Sequence, residues 1–547
     1  AGVTRISRAS VMRTRLSTGV LAVFLACLAR PAAAQHPLAG LPLDDPAYVQ
    51  LDGLVQLGCG AARVSAFRPF MVKDIQAALH AAATEPACAG RILNQLTARF
   101  VLHQPVADST ASRLRLGTAV TLRATGLTGG TIDPLWQDVR STSAGDPPLV
   151  GIGRVRVTWN GGPNVLLVSE AYGETQYRND PTVRAEPFRS TSGILDFSDA
   201  YASGRLGRVV LSVGRAREAW LGDGTESLVL SANGPALDRI TLTAQWTHFE
   251  FKALLASIND VVLTTATDSL ADSGVTQRWH RVLIGHALTW RPDRQLEFTV
   301  GETGVIPRQG GGINLQYANP LMIYQVVQND RGRPTETAGN ANLSAFGSVR
   351  ANVGRASLQG DLLIDDIQID SRDRKVFPDL LGWNLRATYA LPLIVPTSIG
   401  FQYRRVGAYT YFGRSYTDTW QQYDQPIGSE LGPDADMARL FAQFWTLPKL
   451  RLSGGVSRWR HGALRIAQRP PPDRMGHAGD PFPDTTADQP AVQGAWLFDA
   501  SAQWLDGTIP ITASVELGRI DNVNNQHAPA ATYGQFRLTG TWRFRYP

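Results

Sequence analysis

The densest set of chemically capable side chains lies in one short stretch: Arg215, Arg217, Glu218, Asp223 and Glu226. Two chemistries suit it. Arginine grips a carboxylate through two parallel hydrogen bonds, so the cluster fits a clamp for an anionic sugar. It also fits an ion-pair network that fills and stiffens a lumen. We read it as that network, with Asp365 as a further member. Asp365 and Asp366 invite comparison with a glycosidase pair. Such a pair must flank one bond, whereas neighbours on a strand point to opposite faces. Glu218 or Glu302 joins Asp365 only if the tertiary fold brings them together. No GxSxG, HExxH or P-loop pattern occurs. His280 and His286 lack carboxylate company, so no metal site is expected. Nothing calls for a cofactor or for catalysis. The richest aromatic stretch holds Tyr409, Tyr411, Phe412, Arg414 and Tyr416, followed by Trp420 and Tyr423. Aromatic faces stack on sugar rings while Arg, Asp and Gln meet hydroxyls, which suits a glycan site on an outer loop. The alternative is an aromatic girdle with a packed loop. Asn314, Gln316, Tyr317 and Asn319 fit either an inward-folded plug or ordinary turn structure before Pro320.

Strands must position these groups. At the chain end, Phe536, Leu538, Gly540, Trp542, Phe544 and Tyr546 fall on one parity; Arg537, Thr539, Thr541, Arg543 and Arg545 fall on the other. Successive strand side chains point to opposite faces, so this strand has one greasy and one charged face. The same alternation runs through Leu358–Ile364, Trp383–Tyr389, Trp496–Trp504 and Ile511–Leu517. Segments of about ten residues separated by Gly, Pro, Asn and Asp turns match a transmembrane barrel, with lipid outside and a wet lumen inside. Residues 111–547 at roughly 20–25 per strand and turn give about 18 antiparallel strands. Residues 127–149, 174–194, 261–277 and 466–492 are too long or too Pro-rich for tight turns and suit extracellular loops. Val209, Leu211 and Val213 share the parity of Arg215, so a bulge near Gly214 or exit from the membrane must re-aim the arginine.

Residues 35–110 read differently. Asp44-Asp45-Pro46 caps a helix carrying Tyr48, Leu51, Leu54 and Val55, and Gly58 ends it. Pro69 opens a second helix, and Ile92, Leu93, Leu96 and Phe100 suggest a third. This small bundle reads as periplasmic. Cys59 and Cys88 are either joined as a disulfide, as an oxidising compartment permits, or buried as thiols.

Residues 1–34 read as a signal peptide with an upstream extension. Arg13 and Arg15 precede the apolar run Leu16–Ala29, and Ala32-Ala33-Ala34 offers a cleavage site. The formal net charge is +6, and residues 1–34 carry Arg5, Arg8, Arg13, Arg15 and Arg30 with no acid, so a chain from Gln35 carries +1. No basic stripe with interleaved aromatics points to nucleic acid.

Several stretches, taken in order, resemble the Wzi-type capsule-assembly outer-membrane proteins. They are Leu43-Asp44-Asp45-Pro46-Ala47-Tyr48, Gly214-Arg215, Trp220, Gly222, Leu230-Ser231-Ala232-Asn233-Gly234-Pro235, Gly285-His286 and Trp290. Gly301-Glu302, Tyr317-Ala318-Asn319-Pro320-Leu321, Asn342 and Asp365-Asp366-Ile367-Gln368 continue the set. The resemblance implies a large outer-membrane barrel with a periplasmic helical bundle, lectin-like toward surface exopolysaccharide and without hydrolysis. Lipid of the outer membrane and polysaccharide export machinery are the implied partners. A diffusion channel for sugars or small solutes is the alternative reading, and an outer-membrane hydrolase the third.

Overall fold

The period-two segments form eighteen antiparallel strands that close on themselves. The computed structural model describes residues 36–88, 90–102, 113–128, 149–175, 193–222, 226–232, 234–263, 277–310, 315–328, 341–367, 378–413, 415–468, 482 and 491–544. The signal-peptide segment, Asp223, Arg414, Asn314 and Arg545 lie outside them.

In chain order the barrel strands are β1 (Arg113–Thr128), β2 (Leu149–Asn160), β3 (Val165–Glu174), β4 (Ile194–Leu206), β5 (Val209–Ala216) and β6 (Leu237–Gln245). They continue as β7 (Phe249–Leu263), β8 (Gln277–Trp290), β9 (Leu296–Arg308), β10 (Asn342–Val353), β11 (Ala356–Asp366) and β12 (Leu380–Leu391). The last are β13 (Thr397–Val406), β14 (Ala435–Leu447), β15 (Leu450–His461), β16 (Gln493–Trp504), β17 (Ile511–Asp521) and β18 (Ala531–Phe544). Each pairs with its sequence neighbours, and β18 pairs with β1 from Thr118↔Phe544 to Thr128↔Gly534. Closure leaves no unpaired edge, which a lipid environment requires.

The two faces sort as alternation demands. On β18, Phe536, Leu538 and Trp542 are exposed while Arg543 is buried inside. On β12, Leu385 and Tyr389 face out while Asn384 and Thr388 are buried. On β16, Trp496 and Phe498 face out. Short turns such as Leu206–Val209 and Val353–Ala356 gather at one end, and the long connections gather at the other.

At the short-turn end sits the N-terminal segment. Helix α1 (Pro46–Gln56) begins where the Asp45 carboxylate accepts from the Ala47 N–H at 2.9 Å. Its chain leaves through Gly58 at φ +96°, a conformation that favours glycine. Helices α2 (Val72–Ala83) and α3 (Arg91–Thr97) follow, and the third continues as a wider turn to Leu102. A disulfide joins Cys59 to Cys88, with Cα atoms 4.7 Å apart. The bundle's apolar core includes barrel residues Leu166, Val168, Val210 and Trp445, so it is seated in the mouth of the barrel. Asp45 fixes the seat. Its carboxylate is fully buried, receives two bonds of 2.8 Å from Arg99 and a third of 2.9 Å from Arg543 on β18.

Of the two readings of Gln316, Tyr317 and Asn319, the inward-folded plug does not form. Residues 315–328 do not fold inward. Two short helices, α4 (Leu315–Ala318) and α5 (Tyr324–Gln328), lie on the outer face of β8–β10. The strand parity shows this: Leu288, Trp290, Val300 and Val349 are exposed to the outside, and Ile284, Ile306 and Leu343, on those same parities, are buried under the helices. Gln316 and Tyr317 sit in α4 and Asn319 follows it.

Candidate functional site

The lumen holds described parts of two inward-folded connections, residues 217–222, 226–232 and 234–236 of one and 407–413 and 415–434 of the other, which meet the N-terminal segment inside the barrel. The meeting point is a two-residue ladder, Phe67↔Trp220 and Arg68↔Ala219. The Leu221 N–H donates to the Ala66 carbonyl at 2.9 Å, and the Ser231 N–H donates to the Ile427 carbonyl at 2.8 Å. Three sequence-distant segments thus share one backbone network. Around them is an apolar core of Trp220, Leu228, Val229, Leu230, Tyr411, Trp420 and Ile427 against wall residues including Leu283, Ala287 and Phe346.

Trp220 is the pivot. Its ring meets Phe67 edge-on at 5.2 Å and Phe346 at 6.2 Å. A Cβ added at Gly285 would stand 3.1 Å from that ring, so the wall is thinned to admit it. Tyr411, with φ +79°, ties three elements together. Its hydroxyl donates to the Leu228 carbonyl at 2.7 Å and accepts from the Ser429 N–H at 3.0 Å, while its own N–H donates to Asp365 at 2.9 Å. The Trp420 indole donates to the Val229 carbonyl at 3.1 Å.

The expected aromatic platform is therefore distributed. Tyr409, Tyr411 and Trp420 are buried, with 1–2% exposure, and act as anchors of the inward fold. Tyr416 and Tyr423 are half-buried at its tip, and the Tyr416 hydroxyl donates to the exposed Asp424 at 2.7 Å. Burial pushes the Tyr416 phenol up to about 12, helped by that carboxylate.

The expected lumen network of Arg215, Arg217, Glu218, Asp223 and Asp365 does not form as one unit among the described residues. Pairing register runs unbroken through Gly214, so no bulge forms there, although Gly214 itself has φ +124°. Arg215 pairs at the rim with Asp238 at 2.7 Å and reaches Asp196 at 3.2 Å. Arg217 is exposed just beyond β5. Glu218, by contrast, turns inward and binds Arg239 at 2.9 Å and Lys252 at 2.7 Å. Asp365, on the inward parity of Asp361 and Leu363 and at a bulge between Ile364 and Asp366, accepts from the Ser344 hydroxyl and the Tyr411 N–H.

The lumen instead holds several separate networks. Arg156 pairs with Glu170 and Asp199. Arg291 links Glu250 and Glu297, and Glu297 also meets Arg350. Arg386 pairs with Glu226, and Arg404 with Glu430. Alternation alone could have flagged Arg156, since it faces inward between the outward Val155 and Val157. A cavity of about 70 Å³ between α1 and the β10–β12 wall is lined by Arg63, Arg68, Arg350 and Arg386, with room for a few waters.

The carboxylates considered for hydrolysis stand apart. Glu218 is held by two cations, Asp365 by a hydroxyl and an amide, and Glu302 accepts from the Tyr324 N–H on the outer wall. Nor do the two histidines lack carboxylate neighbours: His280 lies 3.1 Å from Asp260 and His286 3.7 Å from Glu302. Strand register supplies both neighbours, which linear spacing hides. Among the described residues no three potential ligands converge on a metal position.

An eighteen-strand closed wall, outward apolar belt and polar lumen define an outer-membrane β-barrel. The chain is similar in structure to Wzi, an outer-membrane protein involved in group 1 capsule assembly in Escherichia coli and described as a carbohydrate-binding β-barrel. The identity is 12%, the match covers 93% of this chain and 100% of that one, and the TM-score is 0.56. It also matches two Pseudomonas aeruginosa proteins. OccD3 is 10% identical over 81% of this chain and 95% of that one, with a TM-score of 0.45. OprD is 10% identical over 80% and 98%, with a TM-score of 0.42. No protein-family model and no curated protein matches the chain.

Proposed function

We propose that this chain is an exported outer-membrane protein of the Wzi type that holds surface polysaccharide without cleaving it. The observation that carries the reading is the filled lumen: two inward connections and the N-terminal segment share backbone hydrogen bonds and one apolar core inside the wall. A plug bound this firmly suits a binding protein better than a diffusion channel. The fold likeness to a carbohydrate-binding barrel supports the same reading. The glycan surface is then the outer tip of the plug, where Tyr416 and Tyr423 offer partly exposed rings beside Asp424. Tyr409, Tyr411 and Trp420 support that tip from beneath, and the bundle at the short-turn end faces the periplasm and any export machinery.

The test is retention of the host's own surface polysaccharide by the folded barrel, beside current recordings in planar bilayers. Each stacked ring contributes about 0.5–1.5 kcal/mol, so Tyr416→Ala with Tyr423→Ala should weaken retention by roughly 5- to 160-fold. The polysaccharide should keep its length, and the wild type should pass no steady current. Unchanged retention would remove the tip from the site, and a steady open conductance would favour the channel.

A further inference from the structure

The outer wall carries a second surface of its own. Along the outward parity of β8, from the short-turn end, come exposed Trp290 and Leu288, then His286, Ile284 and Val282 in the sector of α4 and α5, then His280 and Arg278. On β9 the same order is Val300, Glu302, Gly304, Ile306 and Arg308. At about 3.4 Å per residue and a tilt near 45°, Trp290 to Arg278 spans on the order of 29 Å of height, against an apolar belt of about 25 Å. His286 and Glu302 therefore lie at mid-belt depth, where bare polar groups are costly. The helical flap covers them: the Tyr324 N–H donates to Glu302 at 2.6 Å, and the Tyr324 ring lies 4.6 Å from His286.

The flap's other face is apolar and uncovered. Leu315 and Leu321 are each 82% exposed, and Ile323 and Val326 are also exposed. A patch like this marks a contact surface. Its occupant follows from position: the patch is continuous with Leu288, Trp290 and Val300 of the lipid belt. Directly above it, at headgroup height, stand Arg278, 68% exposed and 3.9 Å from Asp260, and Arg308, register partner of His280. Two guanidiniums above an apolar shelf match a lipid with phosphate above its acyl chains.

We propose that residues 315–328 are a membrane-embedded flap that, with Arg278 and Arg308, binds an anionic phosphate-bearing lipid of the outer leaflet. The inference is independent of what the loops bind. Its test uses the full folded chain in vesicles of phosphatidylcholine with or without phosphatidylglycerol. A fluorophore on Leu321→Cys is compared with one on Leu288→Cys (belt) and one on Asp424→Cys (loop tip). Bromine-labelled acyl chains should quench the labels at 321 and 288 severalfold more than the label at 424. Mass spectrometry of the protein with retained lipid should show phosphatidylglycerol preferred. That preference should fall roughly fivefold for each arginine removed in Arg278→Gln and Arg308→Gln. Quenching at 321 by aqueous iodide instead, or disulfide-linked dimers through position 321, would overturn the embedded flap. An undiminished preference in the double variant would overturn the headgroup contact.

Discussion

A fully buried and a half-buried carboxylate in the bundle show how opposite environments give opposite pH responses. Burial alone would raise the Asp45 carboxyl, but the guanidiniums of Arg99 and Arg543 outweigh it and hold it below the ordinary range. Its contribution is present above the ordinary carboxylate pKa and is lost as pH falls through the lower folded value. Removing one partner from such a buried set costs about 3–5 kcal/mol. Asp74 behaves in reverse. Burial raises it to about 6, with Lys73 opposing at 3.6 Å. It is then neutral in the folded chain and charged in the unfolded chain between about pH 4 and 6. Its contribution is full below about pH 4 and fades as pH rises through 6. Asp74→Asn should flatten the stability profile across that window, changing its slope by roughly 1–3 kcal/mol in total, discounted for partial exposure. Denaturant midpoints at a series of pH values will read this. A residual slope equal to wild type would assign the window to another group. The sequence showed Asp45 as a cap, because a cap is local. Its partner Arg543 lies 498 residues away and no local pattern announces it.

At the scale of elements, alternation was the most legible signal. The two faces of β18 follow from parity alone, and the same rule sorts β11, β12 and β16. The inward connections were not legible. The stretch from Tyr409 to Trp420 has the composition of a sugar platform, yet its anchors are Leu228, Val229 and Ser429, and the first two lie more than 180 residues distant. Composition cannot distinguish a ring stacked on a ligand from a ring packed on the chain itself. The motifs that resemble the capsule-assembly family collect at these hidden joints: Trp220, Gly285, Ser231, Asn342 and Asp365 all touch the plug or seat it. Trp220→Ala removes the ring that joins the N-terminal ladder to the wall. Loss of a large buried aromatic costs about 3–5 kcal/mol. The expected result is a barrel that still shows heat-modifiable mobility but whose 217–236 connection is cut by protease. Protection equal to wild type would mean that the backbone ladder alone holds the plug.

For the whole molecule, the wall and the bundle are stabilised by different means. The wall is held by a closed hydrogen-bond ladder and its lipid. The bundle relies on a modest apolar core, its seat in the barrel mouth and the Cys59–Cys88 bond. Reduction should therefore act on one and spare the other. A loop of this length contributes about 3.6 kcal/mol, so a reducing agent should expose the bundle to protease while the barrel keeps its folded mobility. Simultaneous loss of both would show that wall and bundle unfold as one cooperative unit.

The contact between Asp45 and Arg543 also links the bundle to the seam of the barrel. Arg543 reaches its place only when β18 has zipped onto β1, the last pairing that turns an open sheet into a cylinder. Until then Asp45 has Arg99 but lacks its second cation, and the mouth that receives α1 has no complete rim. The first described segment of the chain thus acts as a latch for the last. The bundle's full seat therefore exists only in a closed cylinder, and an open seam removes one of the two cations that hold Asp45.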